Sequence, residues 1–97
     1  MEKSQRKTEL RSLPNIGEEV ARLLAAAGIG SARALRQIGA IEAAARIKAI
    51  RSDDPPCRSM LAGLEGAIRG VRWHTIPKVE REALWKEYMT RTSGPVR

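Results

Sequence analysis

The sequence contains no phenylalanine, only two tryptophans and one tyrosine, a single cysteine and a single histidine. Each scarcity removes a class of protein. Without aromatics the core has to be assembled from Leu, Ile, Val and Ala, the residues of a helical bundle, and stacking of successive bases, as in single-strand binders, is poorly supported. Cys57 alone cannot form an internal disulfide, and with no secretory apolar segment this implies a reducing, cytoplasmic setting. One histidine and one cysteine give no metal-ligand spacing. No glycine-rich phosphate loop, paired-carboxylate site or nucleophile turn is present, so the expectation is a protein that is not an enzyme and takes no cofactor. No run is apolar enough to span a membrane, and no membrane partner is expected.

What is present is one domain's worth of chain, 97 residues with 42% apolar content. The 18 Lys and Arg against 11 Asp and Glu leave a formal charge of +7, which fits nucleic acid, an anionic surface or an acidic protein without choosing among them. Residues 1–9 carry mixed charge without apolar periodicity and read as a flexible N-terminal segment, residues 10–91 as the folded domain, and residues 92–97, with Thr92-Ser93-Gly94-Pro95, as a disordered tail.

Between the tails every signal is helical. Val20, Leu23, Leu24 and Ala27 form the buried stripe of a helix from about Gly17 to Ala27, stopped by Gly28 in a left-handed cap. Ser31 caps a short helix ending before Gly39, with Leu35 and Ile38 inward; a third, about Ala40 to Ile50, buries Ala43, Ile47 and Ile50. Asp53 or Asp54 is the expected cap of a fourth, with Pro55 or Pro56 in its first turn and Cys57, Met60, Leu61, Leu64 and Ile68 inward. Thr75 and Pro77 open a fifth, which runs to about Arg91 with Ile76, Val79 and Ala83 as its core stripe. The later apolar residues Leu84, Trp85, Tyr88 and Met89 drift to a second face.

Shifting the chain by 22 positions aligns Leu13 with Leu35, Ile16 with Ile38, Gly17 with Gly39 and Ala21 with Ala43. Each copy reads Leu-x-x-Ile-Gly-x-x-x-Ala and resembles a helix-hairpin-helix: the isoleucine anchors the turn, the glycine permits it, and the alanine lets two helices approach. The fold expected is therefore all-α, a compact five-helix domain around two helix-hairpin-helix-like turns, of the SAM-like bundle type. The N–H groups opening the following helix can receive a phosphate. Asn15 and Gln37, however, replace the first glycine of the usual Gly-hydrophobic-Gly turn; Asn15 tolerates a left-handed backbone and Gln37 does so less well. Glu18 and Glu19 put negative charge where a phosphate would dock, and Ala40, Ile41 and Glu42 supply no cation. The turns, Asn15, Ile16, Gly17 and Gln37, Ile38, Gly39, are read first as structural and second as phosphate contacts.

The ordered set Leu13-Pro14-Asn15-Ile16-Gly17, Ala27-Gly28-Ile29, Leu35-Arg36-Gln37-Ile38-Gly39-Ala40 and Leu64-Glu65-Gly66-Ala67-Ile68-Arg69-Gly70 with Trp73 resembles the C-terminal domain of the TfoX/Sxy competence regulators over about residues 10–88. The Leu64–Gly70 block narrows the choice most. The resemblance implies a non-enzymatic bacterial regulator that helps switch on DNA-uptake genes, with the cyclic-AMP receptor protein as the type of partner. Only about ten residues precede the first turn, so the N-terminal domain of two-domain members is not expected here and becomes a candidate partner in trans.

The remaining candidates have both structural and functional readings. Gly63, Gly66 and Gly70 each carry a helix cost of about 1 kcal/mol relative to alanine, which close approach of a neighbour would offset. Trp73 is expected to anchor the last helix, His74 to lie at the surface, and Cys57 to pack as a small apolar residue. Arg33, Arg36, Arg69 and Arg72 are candidate DNA-phosphate contacts, or a solvated face. Trp85, Tyr88 and Met89 are the candidate protein interface.

Overall fold

In the computed structural model, which describes residues 9–93, the chain is all-α. Residues 9–12 are helical (α1), followed by α2 (Glu18–Ala26), α3 (Ala32–Ile50), α4 (Arg58–Arg69), a 3-10 turn (Trp73–Thr75) and α5 (Lys78–Ser93). Helix α4 is the central element, packed against α3, α5 and the 3-10 turn, with Leu61, Ala62, Gly63, Leu64, Gly66 and Ala67 all buried. The fully buried side chains, Leu10, Leu24, Ile29, Leu35, Ile47, Leu61, Leu64 and Tyr88, come from every helix. Burying each aliphatic one contributes about 1.5–3 kcal/mol.

Two glycine caps punctuate the chain where local chemistry requires them. Gly28 has φ +85°, and the hydrogen bonds from Ile29 N–H to the Leu24 carbonyl (2.8 Å) and from Gly28 N–H to the Ala25 carbonyl (3.0 Å) close a left-handed helix end. This turn drives Ile29 into the core beside Leu24. Ser31 Oγ then accepts from Ala34 N–H at 3.1 Å, capping α3 as its residue type predicts. The second and third expected helices both form and meet at Gly39, whose φ of +86° and ψ of 164° are non-helical; they are numbered together as α3.

The structure corrects several expectations. Val20, Leu23 and Ala27 are half-buried, and in α2 only Ala21 and Leu24 are fully enclosed. Ile50 is 51% exposed at the last position of α3. Neither Asp53 nor Asp54 caps α4; Cys57 occupies the cap position without a side-chain bond. Asp54 is instead drawn to Arg51, whose guanidinium pairs with its carboxylate at 3.3 Å and donates to its carbonyl at 3.0 Å. Pro55 and Pro56 favour extended backbone in the residues before them, so the helix begins only at Arg58. Within this stretch Pro56 is buried while Cys57 is exposed, the reverse of the expected packing role for the thiol.

The face of α5 is also re-assigned. Ile76 is buried, but Val79 is 75% exposed and Ala83 is exposed. Ile76 has extended backbone (φ −74°, ψ 130°) and lies before the helix, so a helical period counted from it lands on the wrong face. The face that docks carries Arg81, Leu84, Trp85, Tyr88 and Thr92, with Tyr88 only 2% exposed. The helix continues through Thr92 and Ser93, the Thr92 hydroxyl donating to the Tyr88 carbonyl at 2.9 Å, so these two residues belong to α5 rather than to a tail. The readings for residues 1–8 and 94–97 lie outside the described residues.

Candidate functional site

The first Leu-x-x-Ile-Gly segment is a turn between α1 and α2. Ile16 N–H bonds the Leu13 carbonyl at 3.3 Å, with Pro14 in the second position and Asn15 in the third at φ +68°. Asn15 is the sole described non-glycine residue with positive φ, and Gly17, at φ −93°, needs no such freedom. The turn is therefore made by asparagine, whose short polar side chain tolerates the left-handed region.

That side chain then crosses to α4. Asn15 Nδ2 donates to the Val71 carbonyl at 2.9 Å and to the Gly63 carbonyl at 3.3 Å, while Oδ1 accepts from Trp73 N–H at 3.2 Å. One amide ties the first turn to the body of α4, to its C-terminal end and to the 3-10 turn. The glycines make room for it. A Cβ on Gly66 would stand 2.6 Å from Asn15 Nδ2 and 2.6 Å from the Val71 carbonyl oxygen, whereas one on Gly63 would meet Asn15 Cβ at 3.4 Å. Gly70, at φ +80°, closes α4 with hydrogen bonds from Val71 N–H to the Gly66 carbonyl (2.9 Å) and from Gly70 N–H to the Ala67 carbonyl (3.3 Å), which presents Val71 to the asparagine.

Trp73 is half-buried beside this clasp, with the Arg81 guanidinium 5.4 Å from its ring centroid and exposed His74 edge-on at 6.0 Å. Arg81 Nε also donates to the Ile76 carbonyl at 3.0 Å, which joins Trp73 to the start of α5. The anchoring role expected of Trp73 is thus supplied by α5 reaching back over it.

The second segment is built differently. Leu35 is buried and Ile38 half-buried, both within α3; Gln37 is exposed with no side-chain hydrogen bond among the described residues, and the positive φ has moved to Gly39. The second segment is therefore a break between two helical halves at Gly39, with no side-chain clasp at its third residue.

The candidate cations separate in the same way. Arg33 and Arg36 are exposed, a turn apart, and without an ion pair among the described residues. Arg69 is already paired with Glu65 and Glu80, both at 2.8 Å, which offsets its charge. Hydrogen bonds donated to Glu65 and then to Glu80 hold the pKa of its guanidinium above the ordinary value. Arg72 is exposed and stands beside the clasp. Glu18 and Glu19 are both exposed in the first turn of α2; Glu19 pairs with Arg22 and, at 3.3 Å, with Arg51.

On α5 the expected aromatic surface is only partly a surface. Tyr88 belongs to the core, where burial pushes its phenol up, and it stacks against Trp85 at 5.3 Å between ring centroids. Trp85 is half-buried under Arg58, which lies 5.1 Å from its ring and pairs with Glu82 at 2.8 Å. What remains exposed is Met89, 42% accessible, with Val79 and Ala83. The pairing of Glu65 with Arg69 could have been read from their four-residue spacing, but nothing in the sequence announces Glu80 or Arg81 as partners.

An open trough of about 390 Å³ adjoins the clasp, floored by Ile16, Val20, Met60 and Leu64 and rimmed by Arg72 and His74. No cluster of His, Cys, Asp or Glu among the described residues could hold a metal ion. No helix among them is long and apolar enough to cross a membrane.

The model of the TfoX C-terminal domain matches residues 6–88, most of the chain. The protein belongs to the TfoX C-terminal domain family. Two solved structures from Listeria monocytogenes share its fold. An uncharacterized protein in a triclinic crystal form is 34% identical, with 91% of this chain and 98% of that one covered and a TM-score of 0.77. A protein of unknown function in a tetragonal form is 36% identical, with 86% and 95% covered and a TM-score of 0.73. No match is found among curated proteins. In this TfoX C-terminal domain the Leu64–Gly70 block supplies Gly66, which leaves room for Asn15, while the groups that Asn15 bonds, on Gly63, Val71 and Trp73, flank the block.

Proposed function

We propose that this domain is a non-enzymatic regulatory binding module serving transcriptional control of DNA-uptake genes, and that it docks on a protein instead of gripping DNA through its turns. The observation that carries this reading is the state of the first turn, where a helix-hairpin-helix would receive a phosphate. The Asn15 amide is committed to three internal hydrogen bonds, and exposed Glu18 and Glu19 open the next helix. A phosphate there would meet like charge. The partner is a regulator of the cyclic-AMP receptor protein type, or a TfoX N-terminal domain supplied in trans.

The outer face of α5, with Val79, Ala83 and Met89 beside the Trp85 edge, is the docking surface favoured. Both Val79 and Met89 project into solvent, so Val79→Asp with Met89→Asp tests that face without opening the core. Surface plasmon resonance against each purified partner should show binding by the parent and at least tenfold weaker binding by the double variant, on the order of 1.4 kcal/mol. Equal binding by both proteins would rule out this face.

Arg33 and Arg36 support a second reading, contact with the DNA backbone, because both are exposed and free of carboxylates among the described residues. Anisotropy on duplex DNA separates the two. Tight binding at low salt that weakens steeply as salt is added, and that disappears in Arg33→Glu with Arg36→Glu, would favour DNA.

A further inference from the structure

We infer that the trough beside the Asn15 clasp is a second docking site, taking an apolar segment of a partner protein that carries a carboxylate; this rests on the protein-docking reading but uses a different surface. Three elements build it: the first turn and α2 supply Ile16 and Val20, α4 supplies Met60 and Leu64, and the link to the 3-10 turn supplies Arg72. Ile16 and Leu64 are buried beneath it, while Val20 and Met60 stay half-open, so its floor offers apolar area that the fold leaves partly uncovered.

Charge specifies the occupant. No residue lining the trough is acidic, and Arg72 at its rim is exposed and makes no ion pair among the described residues. Arg69, three positions earlier, is held by two carboxylates. The lining thus joins an arginine without an ion pair to apolar residues with no carboxylate among them, complementary to a carboxylate on an apolar chain. Its form favours a peptide over a small molecule. Ser59, Arg72 and His74 on its walls are exposed, so it lies open to solvent and does not enclose a ligand as small-molecule pockets do. The site is also pre-formed, because Asn15 fixes the distance between the first turn, α4 and Trp73. A segment docking here meets walls already held in position.

The experiment uses the whole chain and three probes: a short fluorescein-labelled peptide of leucine and glutamate, the same peptide with glutamine for glutamate, and octanoate. Anisotropy and amide chemical shifts are read together. The acidic peptide should bind and shift the signals of Val20, Met60 and the Trp73 indole. Arg72→Glu should weaken it about tenfold, and Ser59→Trp, which fills the trough from an exposed helix position, should do so at least as strongly. Circular dichroism melting of both variants should match the parent. No binding of the acidic peptide, equal binding of the glutamine peptide, or unchanged binding by both variants would each overturn the proposal. So would octanoate shifting the same signals while the peptide does not, which would mark a small-anion pocket. Val79→Asp with Met89→Asp should leave peptide binding unchanged, so failure at the trough and failure at the α5 face are read separately.

Discussion

The two Leu-x-x-Ile-Gly segments carry the same anchoring residues at the same spacing, yet one is a turn clasped to α4 and the 3-10 turn and the other is a glycine break between the two helical halves of α3. The difference lies in the two variable positions, Pro14 and Asn15 in a turn against Arg36 and Gln37 in a helix. Asn15 takes the left-handed backbone itself and spans the gap to Gly63, Val71 and Trp73, whereas Gln37 stays exposed and leaves the positive φ to Gly39. A shared hydrophobic frame thus sets where a chain is anchored. The polar residue within it, and the partners it finds, set what the segment becomes.

Substitutions can break this comparison at graded strength. The largest effect is expected at Gly66, because a Cβ there meets backbone at the Val71 carbonyl as well as the Asn15 amide, and backbone cannot yield cheaply. Gly66→Ala should lower unfolding free energy in urea by about 4 kcal/mol, despite the helix gain of alanine. Gly63→Ala, facing only ordinary contact with Asn15 Cβ, should stay within about 1 kcal/mol of the parent. Equal losses at the two glycines would mean that the clasp is not what Gly66 protects.

Next comes the asparagine. Asn15→Ala removes the three hydrogen bonds and puts alanine at φ +68°, for an expected loss of about 3 kcal/mol. Asn15→Gly keeps the backbone freedom and should lose only about 2 kcal/mol, so the pair divides the backbone contribution from that of the bonds. At the second segment the order reverses. Gly39→Ala forces a side chain into a backbone region reserved for glycine and should cost about 2 kcal/mol, while Gln37→Ala should change thermal stability by less than about 0.5 kcal/mol. A large loss at Gln37 would restore the symmetry that the structure removes.

Much of the fold is legible because its signals are local. Ser31 as a cap, Gly28 as a left-handed helix end, Gly39 as a helix break, and Leu24, Leu35, Ile47, Leu61 and Leu64 as core each follow from a residue type at a spacing. The readings that failed depended on which neighbour won. Asp54 can cap a helix but is held by Arg51, and Cys57 can pack as a small apolar residue but is displaced to the surface while Pro56 is buried. The stripe on α5 was displaced because Ile76, a strong apolar marker, sits on extended backbone before the helix starts.

The sequence alone therefore determined an all-α domain with its breaks and most of its core, and the ordered motif that places it among TfoX C-terminal domains. Hydrophobic period and glycine conformation act over a few residues and need no knowledge of the rest of the chain. The tertiary structure decided the asymmetry of the two segments, the engagement of Arg69, the burial of Tyr88 and the trough beside Asn15. Each depends on side chains tens of positions apart meeting across packed helices, as Asn15 meets Val71 and Trp73, and no local period encodes that meeting.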